Sequence, residues 1–518
     1  MRSLIFNHPW PALEHAVKTR PDAEALVFPH QNARLGFRQW HEDALHLAGA
    51  LAARELGRGD HIALLAENRA EWAVVQMACA ALGAVFVPLN THYRRDDLAY
   101  ALKQSQAKAL ICSTSYRSNN YLENVAAVRP QLPKLAQVIS LETDYPKLIA
   151  ECRSFEPVAA EPADVAALLY TSGTTGFPKG ALLSHRAMMM DAREATDRLG
   201  FVAGDRWTSI IPLFHCAGCI LNLLGSLQRG AAYVGVPRFD PEAMFRVIEN
   251  ERCTFLSGVP TSYLAMLDHP ARKNYDLSSL RAGTCGGADC NPAVLRRCAE
   301  EFPMPGLAQV YGQTEGATLF SCPHFGDPKR WETAGEILPG YAIRIADPLT
   351  LQPLPAGTIG EIQARGPMVM EGYYDLPEAT AETIIDGGWL RTGDLGSLTG
   401  DNRLVIAGGR LRDLIIRGGE NIYPAEIENV LQQHPAVAAA AVFARKDDYY
   451  GESVAAAVKL SAPVTARELG EYCATRIAKF KVPASFFRVE QYPLTPSGKI
   501  RKIELRQWAE DNGMEVLA

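Results

Sequence analysis

The chain has 518 residues and a mass of 56.6 kDa, is 47% hydrophobic and 21% charged, and has a mean hydropathy of −0.08. At roughly 100–200 residues per domain this implies about two to four packed units, and the composition excludes disordered, collagenous and multi-span membrane classes. A formal charge of −6 offers no bulk attraction to nucleic acid or anionic lipid, so neither partner is expected.

Along the chain, Phe37–Leu56 carries apolar residues at helical spacing and ends at the turn Gly57-Arg58-Gly59-Asp60. His61–Ala66 reads as a short buried strand, Glu71–Leu82 as a helix and Ala84–Pro88 as a strand. Leu98–Ser105 followed by Ala109–Cys112 repeats the theme, and such alternation predicts a parallel, doubly wound α/β sheet. Asp164–Tyr170 is another buried strand, running into a loop rich in Gly and Thr, and the alternation resumes from about 205 to 310. From about 335 the runs shorten: Tyr341–Ile345, Gly360–Ala364 and Arg403–Ile406 predict a small antiparallel β-barrel or sandwich. After Gly408-Gly409 the remaining residues, about 110, form a compact α+β unit.

The eleven cysteines are sparse and irregularly spaced, as in a protein with reduced thiols. Cys216 and Cys219 form a C-x-x-C with no second pair nearby to complete a metal site. The N-terminal segment lacks the apolar region of a signal peptide, and the longest apolar run, Met77 to Leu89, falls short of the ~20 residues that span a bilayer. The C-terminal EVLA is neither a prenylation box nor a peroxisomal signal, so a cytoplasmic location is expected.

The strongest chemical signal is YTSGTTGFPKG at 170–180. Gly173 and its neighbouring glycines allow successive N–H groups to converge on an anion, Thr171, Ser172, Thr174 and Thr175 add hydroxyl donors, and Lys179 adds a cation. By its chemistry this loop binds phosphate, although no register of it fits a Walker A motif. Downstream lie PLFHCAG at 212–218, GGA at 286–288, YGQTE at 311–315, RTGD at 391–394, GRLRDLIIRGGENIYPAEIE at 409–428 and PLTPSGKIRK at 493–502.

In that order these motifs resemble the class I adenylate-forming superfamily of acyl-CoA synthetases, non-ribosomal adenylation domains and firefly-type luciferases, most closely the medium-chain acyl-CoA synthetases. The resemblance implies an AMP-forming enzyme that uses ATP, Mg²⁺ and coenzyme A. It assigns Thr314 to phosphate, Glu315 to Mg²⁺, and Tyr311, Gly312 and Gln313 to the same nucleotide site. Gly286, Gly287 and Ala288 resemble the wall against adenine, and Asp394 and Arg410 resemble the pair that meets the ribose. Lys499 matches the lysine that reaches the α-phosphate and the substrate carboxylate. Gly418, Gly419 and Glu420 match the loop of the pantetheine channel. Lys499, Thr174, Glu315 and His215 are the catalytic residues it implies.

The same resemblance implies a large N-terminal domain over 1–408, a hinge at 409–413 and a mobile C-terminal lid over 414–518. It places the pivot at Arg412, where relatives usually carry Asp or Lys. His215 occupies a place where amino-acid-activating relatives carry Asp, so a fatty, aryl or alicyclic monocarboxylic acid is expected. A stand-alone adenylating enzyme that loads a carrier protein or an amine is the alternative, a non-catalytic relative is a further one, and the resemblance admits a homodimer.

Overall fold

A computed structural model describes residues 5–171, 178–288, 290–410, 413, 415–417, 420–422, 424–447, 450–477, 479–494, 500–511 and 513–517. The chain forms two compact units. One comprises Met1–Gly286, Ala293–Ala342 and Ala364–Leu390; the other comprises Gly287–Pro292, Ile343–Gln363 and Arg391–Ala518. This grouping by packing in one conformation does not follow a line at residue 408; a hinge is instead where two conformations diverge.

The first unit holds two seven-stranded sheets. In one, His61–Leu65 lies between Val85–Pro88 and Ala109–Cys112, all parallel, with Gln137–Ser140 at the edge. Val165–Thr171 joins beside Val85–Pro88 in parallel, and Lys179–Ser184 then returns antiparallel to it. In the other sheet, Gly306–Gln309, Ala282–Cys285, Phe255–Gly258, Arg206–Ser209, Ala232–Gly235 and Glu24–Phe28 are all parallel, and Ala33–Gly36 closes the edge antiparallel. The doubly wound α/β class is therefore observed. Glu24–Phe28 precedes the strands of the first sheet in sequence but pairs in the second with Ala232–Gly235, far along the chain.

Burial explains why these elements read as apolar runs. In helix Ala70–Leu82 every residue except Glu71 is buried, so the helix needs no polar face. Trp40, Trp72 and Trp207 are the largest fully buried side chains.

Ala342–Ala346, Gly360–Arg365 and Trp389–Leu398, most of whose residues fall in the second unit, are successive neighbours in one sheet, and Leu404–Arg410 runs antiparallel to Trp389–Leu398. A separate sheet runs Glu420–Ile422, Ile415–Arg417, Gly451–Leu460, Ser485–Arg488, Glu515–Val516, with Val437–Asp447 also paired to Gly451–Leu460. Ala440, Val442 and Ala444 pack into one core, while Ala441 and Phe443 pack into another that contains Leu505. With both faces covered, this strand is apolar without alternation. Among the described residues no helix is long and apolar enough to cross a membrane.

The fold buries one pair of imidazoles in the first unit. His8 and His185 lie with ring centroids 3.9 Å apart. His8 Nδ1 accepts from the Trp10 N–H, whereas His8 Nε2 and both His185 nitrogens have no hydrogen-bond partner among the described residues. Burial lowers His8 to about 4, against an upward pull from Asp164, and lowers His185 to about 3, with His8 adding to the effect. The unfolded chain takes up these protons near pH 6.5, so the stabilisation is complete above that pH and is lost as pH falls toward 4. His185→Phe keeps a ring in the stack and sacrifices no hydrogen bond. Urea unfolding between pH 7 and 4 is expected to show a shallower loss of stability for this variant than for wild type, with no penalty at pH 7.

Candidate active site

The phosphate-type loop is pinned at both ends by a ladder. Lys179 stands opposite Thr171 in register, and the Thr171 hydroxyl donates to the Lys179 carbonyl at 3.4 Å. Tyr100 donates to the Pro178 carbonyl at 2.9 Å. Ser172, Gly173, Thr174 and Thr175 lie outside the described residues.

From the anchored end of the loop, the Lys179 ammonium lies 5.1 Å from the centre of the Tyr373 ring. The Tyr373 hydroxyl donates to Glu315 Oε1 at 2.7 Å. Tyr373 thus links the loop lysine to the carboxylate of the YGQTE segment. Tyr373 was absent from the sequence-derived set because it sits on the two-residue strand Gly372–Tyr373, which only pairing with Lys179–Ser184 brings into place. The only cue is its place in the Tyr373-Tyr374 pair after Gly372.

Glu315 lies in the short 3₁₀ turn Thr314–Gly316, and its carbonyl accepts from the Met370 N–H at 2.8 Å. Its Oε2 has no hydrogen-bond partner among the described residues. Mg²⁺ beside a polyphosphate takes one or two carboxylates from a protein and oxygens from the substrate, so Glu315 fits such an ion. Gly312 has a structural reason of its own: a Cβ there would lie 1.9 Å from the Thr318 carbonyl oxygen. Tyr311 accepts at its carbonyl from the Phe320 N–H at 2.8 Å, which closes the segment on itself, and Gln313 precedes the turn in extended conformation.

Thr314 Oγ1 donates to Cys216 Sγ at 3.5 Å, which brings the YGQTE and PLFHCAG motifs together. His215 Nδ1 accepts from the Ala217 N–H at 3.2 Å, an arrangement that leaves the proton of a neutral ring on Nε2. Residues Ala217–Leu224 then wind as a π-helix, a geometry that recurs at functional sites. The chain can start it there because Gly218 sits where a Cβ would be 2.2 Å from the Pro212 carbonyl oxygen. Cys216 and Cys219 are both buried; burial pushes the Cys216 thiol up to about 11 and Cys219 upward as well, so both are thiols and not thiolates.

Gly286 follows strand Ala282–Cys285 and donates to the Gly258 carbonyl at 3.3 Å. Gly287 has φ of +77°, and the Ala288 carbonyl accepts from the Cys290 thiol. In the second unit, Asp394 stands directly opposite Arg410 in the antiparallel ladder, so RTGD and GRLRD meet across two strands. The turn before Asp394 is braced by Glu361, which is 1% exposed and accepts from Arg391 Nε at 2.9 Å and from the Gly393 N–H at 3.2 Å. Nothing in the sequence singles out Glu361, whose role depends on a residue 30 positions downstream. Glu420 begins strand Glu420–Ile422. Arg412, Gly418, Gly419 and Lys499 lie outside the described residues.

Comparison with known proteins bears on this arrangement directly. The AMP-binding enzyme family matches residues 13–374, and the AMP-binding enzyme C-terminal domain matches residues 426–499. The chain belongs to the AMP-binding enzyme family. The enzyme is therefore a member of the adenylate-forming superfamily. It is 37% identical, over 98% of both chains, to YngI of Bacillus subtilis strain 168, whose own assignment as an acyl-CoA synthetase is provisional. It is 34% identical to the mitochondrial medium-chain acyl-CoA ligase ACSF2 of Danio rerio, over 96% of this chain and 88% of that one. Among solved structures it resembles the o-succinylbenzoate CoA synthetase MenE of Bacillus subtilis in complex with its acyl-adenylate intermediate, with a TM-score of 0.83 and 32% identity, over 96% of this chain and 98% of that one.

The Tyr373 bridge can be tested separately at its two ends. Tyr373→Phe removes the hydroxyl that bonds Glu315 and keeps the ring, while Tyr373→Ala also removes the ring under Lys179. ATP–pyrophosphate exchange is expected to fall about tenfold in the first, as for loss of a hydrogen bond to a charged group, and further in the second. Titration of Mg²⁺ should show a raised requirement in both.

Proposed function

We propose that this ATP-dependent acid:CoA ligase activates a medium-chain fatty acid, or an aryl or alicyclic monocarboxylic acid, as an acyl-adenylate and passes the acyl group to the thiol of CoA. The observation that carries the reading is the contact chain Lys179–Tyr373–Glu315. It puts the cation at the base of the phosphate-type loop and a carboxylate suited to Mg²⁺ on the same phenol. His215 and the medium-chain and aromatic-acid specificities of similar proteins support the choice of acid.

In the first step an oxygen of the acid attacks the α-phosphorus of ATP and the bond to pyrophosphate breaks. A carboxylate and a triphosphate repel, so the step needs screening and alignment. Lys179 and the hydroxyls of Thr171, Ser172, Thr174, Thr175 and Thr314 would hold the phosphates, and Gly286, Gly287 and Ala288 would flank adenine. Asp394 and Arg410, adjacent in their ladder, would take the ribose hydroxyls. Mg²⁺, when bound at Glu315, neutralises phosphate charge. Lys499 would offset charge on the α-phosphate as the bond changes partners.

In the second step the CoA thiol attacks the acyl carbonyl carbon, the acyl–phosphate bond breaks, and AMP leaves. Rotation of a lid over 414–518 about a hinge at 409–413, pivoting at Arg412, would withdraw Lys499 and bring Gly418, Gly419 and Glu420 to the pantetheine. His215 would stand beside the carboxyl group in both steps. The same reading takes the enzyme as cytoplasmic; light scattering after size-exclusion chromatography decides between monomer and homodimer.

Lys499→Ala should lose acyl-adenylate formation, measured as pyrophosphate release. Arg412→Pro should keep that step and lose thioester formation; equal loss of both half-reactions would exclude a pivot at Arg412. Across a panel of acids, pyrophosphate release is expected to rise on CoA addition for medium-chain fatty acids and their ring-bearing analogues, whose apolar tails suit the mainly apolar lining usual in small-molecule sites. Turnover with amino acids, or indifference to CoA, would point instead to a carrier protein or an amine as acceptor.

A further inference from the structure

The segment that follows Glu315 makes an unusual turn. The Thr318 N–H donates to the Gly316 carbonyl only two residues back, and the residue between them, Ala317, has φ of +52° and ψ of −62°. This is the three-residue γ-turn of positive φ, a strained geometry for any residue with a Cβ. Something outside the segment must hold it closed.

Asp191 faces it. This residue lies in helix His185–Arg198 and is 0% exposed. Its Oδ2 accepts from the Leu319 N–H at 2.9 Å, the N–H of Thr318 also faces the carboxyl, and Oδ1 has no hydrogen-bond partner among the described residues. Two further contacts steady the same turn: Tyr341 donates to the Gly316 carbonyl at 2.9 Å, and Thr318 Oγ1 donates to the Ala317 carbonyl at 2.7 Å. Every one of these groups belongs to the first compact unit.

We propose that Asp191 is a positioning residue for ATP and Mg²⁺: by accepting from the backbone beyond Ala317 it holds the strained turn closed and so fixes Thr314 and Glu315 on its near side. This rests on the roles given to Thr314 and Glu315 under the proposed function. Asp191 touches no reacting atom; it acts through the backbone. Burial drives its carboxyl well above the ordinary range, against a downward pull from the Leu319 and Thr318 N–H groups, and Glu194 on the same helix adds to the upward push. The thiols of Cys216 and Cys322 and the phenol of Tyr341 are the other titratable groups facing it, and none of them is a cation. The contact the geometry shows is an oxygen that accepts from backbone N–H, and asparagine, which keeps such an oxygen in the same place, is its closest substitute.

The test uses the full-length enzyme with ATP–pyrophosphate exchange, a saturating acid, and separate titrations of ATP and Mg²⁺. Asp191→Asn keeps the acceptor and should stay within about twofold of wild type in all parameters, whereas Asp191→Leu should raise the KM for ATP and the Mg²⁺ requirement about tenfold, the size of one lost buried hydrogen bond. Glycine tolerates the turn without strain, so Asp191→Leu combined with Ala317→Gly should recover a large part of that loss. A lowered thermal midpoint in Asp191→Leu with unchanged ATP and Mg²⁺ dependence would make the residue purely structural and overturn the proposal. Failure of Ala317→Gly to compensate would do the same. If Asp191→Leu does not fold, Asp191→Ala is read by the same criteria. Glu315→Gln separates the two levels: if it leaves the Mg²⁺ requirement unchanged, the assignment of Glu315 falls and the positioning role with it. If Glu315→Gln raises the requirement and Asp191→Leu does not, the positioning role alone falls.

Discussion

Lys179 and Glu315 carry opposite charges, and a direct ion pair between them would leave neither ready for a substrate. Tyr373 separates them. Its ring face takes the ammonium at 5.1 Å and its hydroxyl takes one carboxylate oxygen at 2.7 Å. A cation–π contact contributes about 0.5–2 kcal/mol and a hydrogen bond to a charged acceptor about 1.5–3 kcal/mol. Both are weak enough for a triphosphate to compete with, and both are directional enough to set the groups in place beforehand. The antiparallel return of Lys179–Ser184 along Val165–Thr171 makes this possible, because the same strand pairs on its other side with Gly372–Tyr373.

Much of this architecture was legible in the sequence wherever burial was complete. His61–Leu65 and Ala109–Cys112 emerge within a residue of where the apolar runs place them, because strands covered on both faces carry an uninterrupted signal. Glu24–Phe28 gave no comparable warning of its partner, since nothing local in five residues indicates pairing with Ala232–Gly235. The motif residues were found through the chemistry of glycine, hydroxyl and lysine in close succession. Tyr373, Glu361 and Asp191 were not. Each acts through a partner distant in sequence, and a polar residue on a helix or a short strand ordinarily reads as solvated surface.

Some motif positions proved to have two reasons to exist. Gly312 and Gly218 lie in segments that read as ligand-binding, yet both are required by the backbone itself, since a Cβ at either would collide with a carbonyl oxygen. The constraint that shapes the site and the constraint that folds it fall on the same atoms. The bulk charge of −6 fits this economy. ATP and CoA are polyanions that the overall field would not attract, so their binding depends on a few groups whose placement is fixed by packing.

Asp191 and Ala317 extend the same logic to strain. A chain free to maximise stability would put glycine at a residue with φ of +52° and an apolar side chain at a site with no exposure. This chain does neither. Alanine narrows the alternatives open to the turn, and a buried carboxyl supplies the acceptor that its backbone requires. Propensity is broken at Ala317, two residues after the carboxylate suited to Mg²⁺, and burial is broken at Asp191, which meets the same turn from a distant helix. A relaxed turn would be satisfied in several positions; a strained one held by Asp191 and Tyr341 has few, and on the proposal above the one they select sets Glu315 against Tyr373.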